Sequence, residues 1–329
     1  MTAPRVFTLR ASDGLRIDVT DAGAAWMSCR VPVNGAEREV LLGYQTPADY
    51  LTQPGYLGAV VGRHANRIAG ASFDLDGQHF ALQPNEGQHQ LHGGAGGFHR
   101  KLWEVVGHAD DRLELALRSP DGDQGFPGEL SVRAVYRIEP PLTVTVTIEA
   151  TTTAPTLCNL TSHAYFNLDG SGSIANHRLQ IAASHYLPVR PDLIPTGEQA
   201  DVAATPFDFR TPRRIGEALQ ALALAGATPA CHDHCWLDGS ATLWSGDAQL
   251  GLELHSTAPG LQFYAGEFLP RTPDRQGRPY AAHAGLALEP QALPDSPHHP
   301  EWPQQNAVLR PGEVYRRQIT YRFIPAPRP

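Results

Sequence analysis

The chain has 329 residues, 41% hydrophobic and 18% charged, a globular balance with ample material for a core. Lys plus Arg number 26 against 34 Asp plus Glu, a net charge of −8 with no basic run, which argues against nucleic acid or an anionic membrane as partner. With 31 Gly and 29 Pro, turns are favoured over helix interiors, and many short strands are expected.

The opening residues 1–10 hold no apolar core of signal-peptide length, and no run approaches the ~20 apolar residues of a membrane helix. A soluble, cytoplasmic protein is expected. Cys29, Cys158, Cys231 and Cys235 are too few and too scattered for a disulfide framework.

In chain order, Val6–Arg10, Leu15–Thr20 and Trp26–Val33 read as strands, with Asp13-Gly14 as a hairpin signal between the first two. Tyr44–Tyr56 reads as a loop with one short helix at Ala48–Leu51, and Gly58–Ile68 as strand running into loop. Phe73–Leu82 is a second hairpin around Asp76-Gly77. Leu102–Val106, Leu113–Arg118 and Gly128–Ile138 continue the series. The clearest strand is Leu142–Ala150, where Leu142, Val144, Val146, Ile148 and Ala150 alternate with Thr143, Thr145, Thr147 and Glu149. Shorter strands follow at Leu179–Ala182, Tyr186–Val189, Thr242–Trp244, Gln249–His255 and Leu261–Ala265. Only Ile215–Ala225 reads as a convincing helix. Gln318–Ile324 is a last strand, with Ile319, Tyr321 and Phe323 in phase, and residues 325–329 form a frayed tail. Without an internal repeat or a linker, residues 1–324 read as one all-β domain, a large antiparallel β-sandwich with few short helices.

Five polar segments interrupt this pattern. Gly62-Arg63-His64-Ala65-Asn66-Arg67-Ile68 offers an amide and a guanidinium fork able to bridge hydroxyls, although two arginines at a strand end are also ordinary solvated surface. In residues 85–94, the Leu91-His92-Gly93-Gly94 loop implies a tight backbone path that admits close approach of a ligand. Residues 159–170 put His163 at the end of a strand, beside Tyr165 and between two asparagines. Cys231-His232-Asp233-His234-Cys235 holds five potential metal ligands, but strand alternation throws His232 and His234 to one face and Asp233 to the other, and no second cluster completes a site. Glu289 closes the apolar run Ala284–Leu288, as a structural group or a base.

Taken together, these five segments resemble the aldose 1-epimerase (galactose mutarotase) family in content, order and spacing, from about Gly23 to Arg316. The resemblance implies a large β-sandwich that needs no cofactor and no metal, with His163 as general acid and Glu289 as general base. It further implies that Asn66, Arg67, His92, Tyr165, Asp233 and Gln262 bind the hydroxyls of a free aldohexose such as galactose or glucose. Glu267 stands where the family commonly has Asn, a change at the rim of the site. The expected protein is a monomer or homodimer.

Opening a hemiacetal ring needs a base for the anomeric hydroxyl and an acid for the ring oxygen. A carboxylate of ordinary pKa ~4.3 is ionised at neutrality, and a histidine at ~6.5 is about a quarter protonated at pH 7. A carboxylate nearby is expected to raise that share. A glycoside hydrolase would instead need two carboxylates, Asp233 and Glu289 being available, and would leave His163 idle. A non-catalytic sugar-binding module would need neither His163 nor Glu289.

Overall fold

The computed structural model describes residues 3–226, 232–304 and 307–326. Its largest element is a nine-stranded antiparallel sheet. The order across it is Glu104–Ala109, Arg112–Ser119, Leu130–Glu139, Thr143–Thr152, Tyr315–Pro325, Leu250–Ser256, Ala241–Trp244, Arg178–Gln180 and Arg213–Arg214. The last strand of the chain therefore lies in the middle of the sheet, paired on one side with Thr143–Thr152 and on the other with Leu250–Ser256.

Period-two alternation sets which face is dry. Val132, Ala134, Tyr136 and Ile138 are buried, as are Val144, Val146, Ile148 and Ala150 opposite them, while Arg133 and Arg137 face water. A four-stranded sheet of Val6–Arg10, Arg16–Thr20, Trp26–Val33 and Ala36–Glu39 contributes Ile17, Val19, Cys29 and Val31 to the same core. Trp26 joins the layers, with its ring 5.2 Å from that of Tyr321 and 6.1 Å from that of Phe166.

A six-stranded sheet carries the remaining wall. Its order is Tyr165–Phe166, Leu286–Gln291, Gly260–Tyr264, Asp233–Trp236, His185–Tyr186 and Ala200–Asp201. One face sends Phe166, Leu286, Leu288, Phe263 and Trp236 into the core. The other face carries Glu289 and Asp233 and lines a cleft.

The expected hairpins form. Leu15 donates its N–H to Asp13 Oδ1 at 3.1 Å, and Asp76 and Gly77 both take positive φ, 51° and 77°, as a tight two-residue hairpin turn requires. The helix spans Ile215–Leu224, and the short one is shifted by a residue to Asp49–Thr52. Gly58–Ile68 runs from strand into loop as expected: Val60–Val61 is the strand, His64 makes a single bridge to Asn159, and Arg67–Ile68 pairs again beyond the loop. The final strand runs to Pro325 and Ala326 donates to the Gln249 carbonyl at 2.8 Å, so residues 325 and 326 are held; 327–329 lie outside the described residues.

Candidate active site

Register brings the site together. Glu289 lies directly opposite Gln262, Gln262 opposite Cys235, and Ala287 opposite Tyr165. Opposed residues share a face and so do residues two apart, so Tyr165, Glu289, Gln262 and Asp233 all project from one side of the six-stranded sheet. His163, two residues before Tyr165, is fixed through its own backbone: its N–H donates to the Ala59 carbonyl at 2.8 Å, and its carbonyl accepts from Gly58 N–H at 2.9 Å.

These groups line a cleft of about 430 Å³, within the ~300–1,000 Å³ usual for small-ligand sites. Asn66, Arg67, His92, His163, Tyr165, Asp233 and Glu289 all line it. Gln262 is not among the lining residues. It is buried, and its amide donates to Asp233 Oδ1 at 2.6 Å, so it orients Asp233 from behind. Glu267 does not line the cleft either; Tyr264, Phe268 and Leu269 form that part of the rim.

His163 and Glu289 meet at the floor, Nε2 to Oε1 at 3.4 Å, with their side chains only 3% and 2% exposed. The imidazole lies within 17° of parallel to Tyr165 (4.9 Å between centroids) and to Tyr56 (5.6 Å), which fixes its plane. Burial dominates both groups. It pulls the His163 imidazole down to about 4, against smaller opposing effects from its own backbone and from Asp233. Burial also pushes Glu289 well above the ordinary carboxylate range, helped by Asp233 and opposed by Arg67. The expectation that a neighbouring carboxylate would raise the protonated share of His163 therefore fails. Loss of hydration outweighs the attraction, and Glu289 is itself held toward its neutral form.

Arg67 and Asp233 belong to one network. Arg67 donates Nε to Glu86 Oε2 at 2.6 Å and Nη2 to Glu86 Oε1 at 3.1 Å, a two-point carboxylate grip, and Nη1 reaches Asp233 Oδ2 at 3.4 Å. This ties the 85–92 loop to the six-stranded sheet. His92 accepts the Asn66 N–H on Nδ1 at 3.1 Å, and burial keeps its imidazole neutral, so its one hydrogen sits on Nε2 and that nitrogen can only donate.

The solvated-surface reading of Arg63 and Arg67 is overturned, since both are buried. Arg63 points away from the cleft and donates to the carbonyls of Ser119, Pro120, Pro127 and Gly128 at 2.8–3.0 Å, a staple between loops. The tight path at Gly93 also serves the fold and not a ligand. Its φ is +81°, and a Cβ there would sit 2.0 Å from the Gly62 carbonyl oxygen.

His92, His163 and Glu289 place three potential metal ligands within 4.8 Å of one another. The arrangement does not suit a metal: His92 Nδ1 is occupied by a backbone N–H and Nε2 carries the proton, so the ring presents no free lone pair. Of the 231–235 run, Cys231 lies outside the described residues. His232 and His234 pack among Phe207, Phe209 and Trp236 on the face opposite Asp233, as strand alternation requires.

Tyr56 and Glu86 are cleft residues that the sequence did not mark. Glu86 sits inside a segment singled out for His92, and a carboxylate 19 positions from Arg67 was the available signal. Tyr56 closes a loop and carried none.

A β-sheet face bearing a buried His–Glu pair, a further carboxylate and directed N–H donors in a cleft of this size suits a small polyhydroxylated ligand and the transfer of protons to and from it. The profile of the aldose 1-epimerase family matches residues 5–322. The chain is 44% identical to the aldose 1-epimerase of Escherichia coli (strain K12), over 97% of this chain and 95% of that one. It is 39% identical to the galactose mutarotase of Bos taurus, over 95% and 92%. The crystal structure of an aldose epimerase homologue from C. elegans superposes with a TM-score of 0.92 at 29% identity, covering 99% of this chain and all of that one. The chain belongs to the aldose 1-epimerase family, and the enzyme is an isomerase.

Proposed function

We propose that the protein interconverts the α and β anomers of free aldohexoses, galactose and glucose among them, with His163 and Glu289 as the acid–base pair. The observation that carries this reading is the 3.4 Å approach of His163 Nε2 to Glu289 Oε1, both buried at the floor of the cleft. Ring opening removes the proton of the anomeric hydroxyl to Glu289 while His163 gives one to the ring oxygen. The carbonyl carbon then turns about its bond to the next carbon, and the two groups reverse roles on closure. The reaction is proton-neutral and needs no electron acceptor.

A neutral pair, with the proton on Glu289, and a charged pair, with it on His163, contain the same number of protons. Moving one proton across the 3.4 Å gap converts the form that burial favours into the form that begins catalysis. Sugar hydroxyls entering the cleft supply hydrogen bonds to both charges, which makes the charged form accessible where an empty cleft disfavours it. Asp233 accepts from sugar hydroxyls, His92 donates from Nε2, and Asn66 and Arg67 complete the polar wall, while the Tyr165 ring offers an apolar surface.

The decisive experiment is polarimetry of freshly dissolved α-galactose and α-glucose with and without enzyme. Acceleration of the drift to equilibrium is expected for both sugars. Binding without acceleration would leave only a sugar-binding module, and no effect on either sugar would refute the substrate class.

A further inference from the structure

The Tyr315–Pro325 strand buries alternate residues, and Ile319, Tyr321 and Phe323 enter the core. The same phase carries back to Arg317, which is 6% exposed on the inward side. A charged residue at a core position is the informative exception in a strand. Its neighbours Arg316 and Arg322 pair with Glu149 and Glu253. Arg317 pairs with no carboxylate among the described residues, and its Nε is buried without a hydrogen-bond partner. What it does touch is Tyr315, with the guanidinium 5.6 Å from the ring centroid.

Arg317 lines a hollow of about 310 Å³ together with Cys158, Thr257, Glu313, Tyr315 and Arg316, none of which lines the sugar cleft. Thr257 accepts the Gln318 N–H on Oγ1 at 3.1 Å, which leaves its own O–H to donate. The hollow thus holds one guanidinium without a salt-bridge partner among the described residues and one hydroxyl left to donate. Arg316 is already neutralised by Glu149 at 2.6 Å, and Glu313 stands in the lining as a negative group. One free positive charge beside one negative charge suits a monoanion better than a dianion.

We propose that this hollow is a second ligand site, which seats the carboxylate of a small monoanionic molecule on Arg317 with Thr257 as second donor. A guanidinium matches a planar carboxylate in a two-point contact, and a buried charge without a counter-ion is stabilised by acquiring one. The site is independent of the anomer chemistry.

The test is a thermal-shift and calorimetric titration of the full-length protein with sodium lactate, against sodium chloride and sodium phosphate at matched ionic strength, with galactose saturating the cleft. Saturable stabilisation by lactate beyond that of chloride is expected, absent in Arg317→Met and weakened in Thr257→Val. Glu313→Gln removes a repelling charge and should tighten lactate binding roughly two- to fivefold, the reach of one solvent-screened charge. Should Arg317→Met fail to fold, the Thr257→Val and Glu313→Gln titrations decide. Equal stabilisation by chloride, an undiminished response in Arg317→Met, or no change in both other variants would overturn the site. Tighter binding of phosphate than of lactate would overturn the carboxylate assignment.

Discussion

Burial moves the pKa values of His163 and Glu289 in opposite directions and their charges in the same one, toward neutrality. For Glu289 the shift carries a consequence for stability. Its pKa in the folded protein lies above the unfolded value, so the folded chain holds a proton that the unfolded chain has released, and stability falls as pH rises above about 4.5. Glu289→Gln should therefore lower kcat by ~10²–10⁴-fold and yet raise the melting temperature, with the gap from wild type widening between pH 5 and 8. Melting curves of both proteins across that range test it, and a variant less stable than wild type at pH 8 would count against the burial argument. For His163 the sign is reversed. Its folded pKa of about 4 lies below the unfolded 6.5, so stability is lost as pH falls through that window. The same shifts set the activity profile: the pair works with one proton, so kcat should fall on the acid side near pH 4, where a second proton binds, and on the alkaline side well above ordinary carboxylate values. An acid limb near pH 6.5 would mean an imidazole of ordinary basicity. Asp233→Ala should mainly raise KM, losing a charged hydrogen bond worth ~1.5–3 kcal/mol, and a large fall in kcat at unchanged KM would give Asp233 a chemical role. The sequence made His163, Glu289 and Asp233 visible through segments that resemble the aldose 1-epimerase family, while residue type alone left each open to a structural reading. It could not show that Gln262 faces Asp233, because that contact depends on a register between strands 29 positions apart.

Among the elements, the segment bearing His163 is held from both sides. Its front is tied to residues 58–61, and behind it the Tyr315 hydroxyl accepts the Leu160 N–H at 2.9 Å and donates to the Leu160 carbonyl at 3.0 Å. Tyr315→Phe strands both backbone groups in a buried setting, which should cost about 1–3 kcal/mol of stability. The His163 ring should then be less well placed, so kcat should drop while KM for galactose changes little; unchanged kcat in a destabilised variant would show that the clamp serves the fold alone. Elements with strong alternation, such as 130–139 and 143–152, were legible from period two alone, as were the hairpins from Asp-Gly. The 58–68 region was legible as strand giving way to loop, but the path of that loop was not: it carries Arg63, whose guanidinium takes carbonyls from two distant loops. No local pattern encodes a partner 56 or more positions away.

At the scale of the whole molecule, one sheet supplies the core with Leu288 and the cleft with Glu289, neighbours pointing opposite ways. The fold class was accessible from composition and alternation, but the pairing order of the nine-stranded sheet was not, since it joins strands far apart in the chain. Glu104–Ala109 through Thr143–Thr152 form a run of neighbours, and then Tyr315–Pro325 intervenes before the chain doubles back to Leu250–Ser256. The centre of the sheet is thus the part made last. During synthesis the edge of Thr143–Thr152 that will receive this strand stays open while more than half the chain is still to come. At ~5–20 residues per second that wait is on the order of ten seconds or longer, and an open strand edge is a template for pairing with other chains. A nascent enzyme of this family member should therefore depend on chaperone holding until its final residues emerge. Stopping translation after Val314 should send the product into inclusion bodies, where supplying residues 315–329 as a separate peptide during refolding should recover soluble protein.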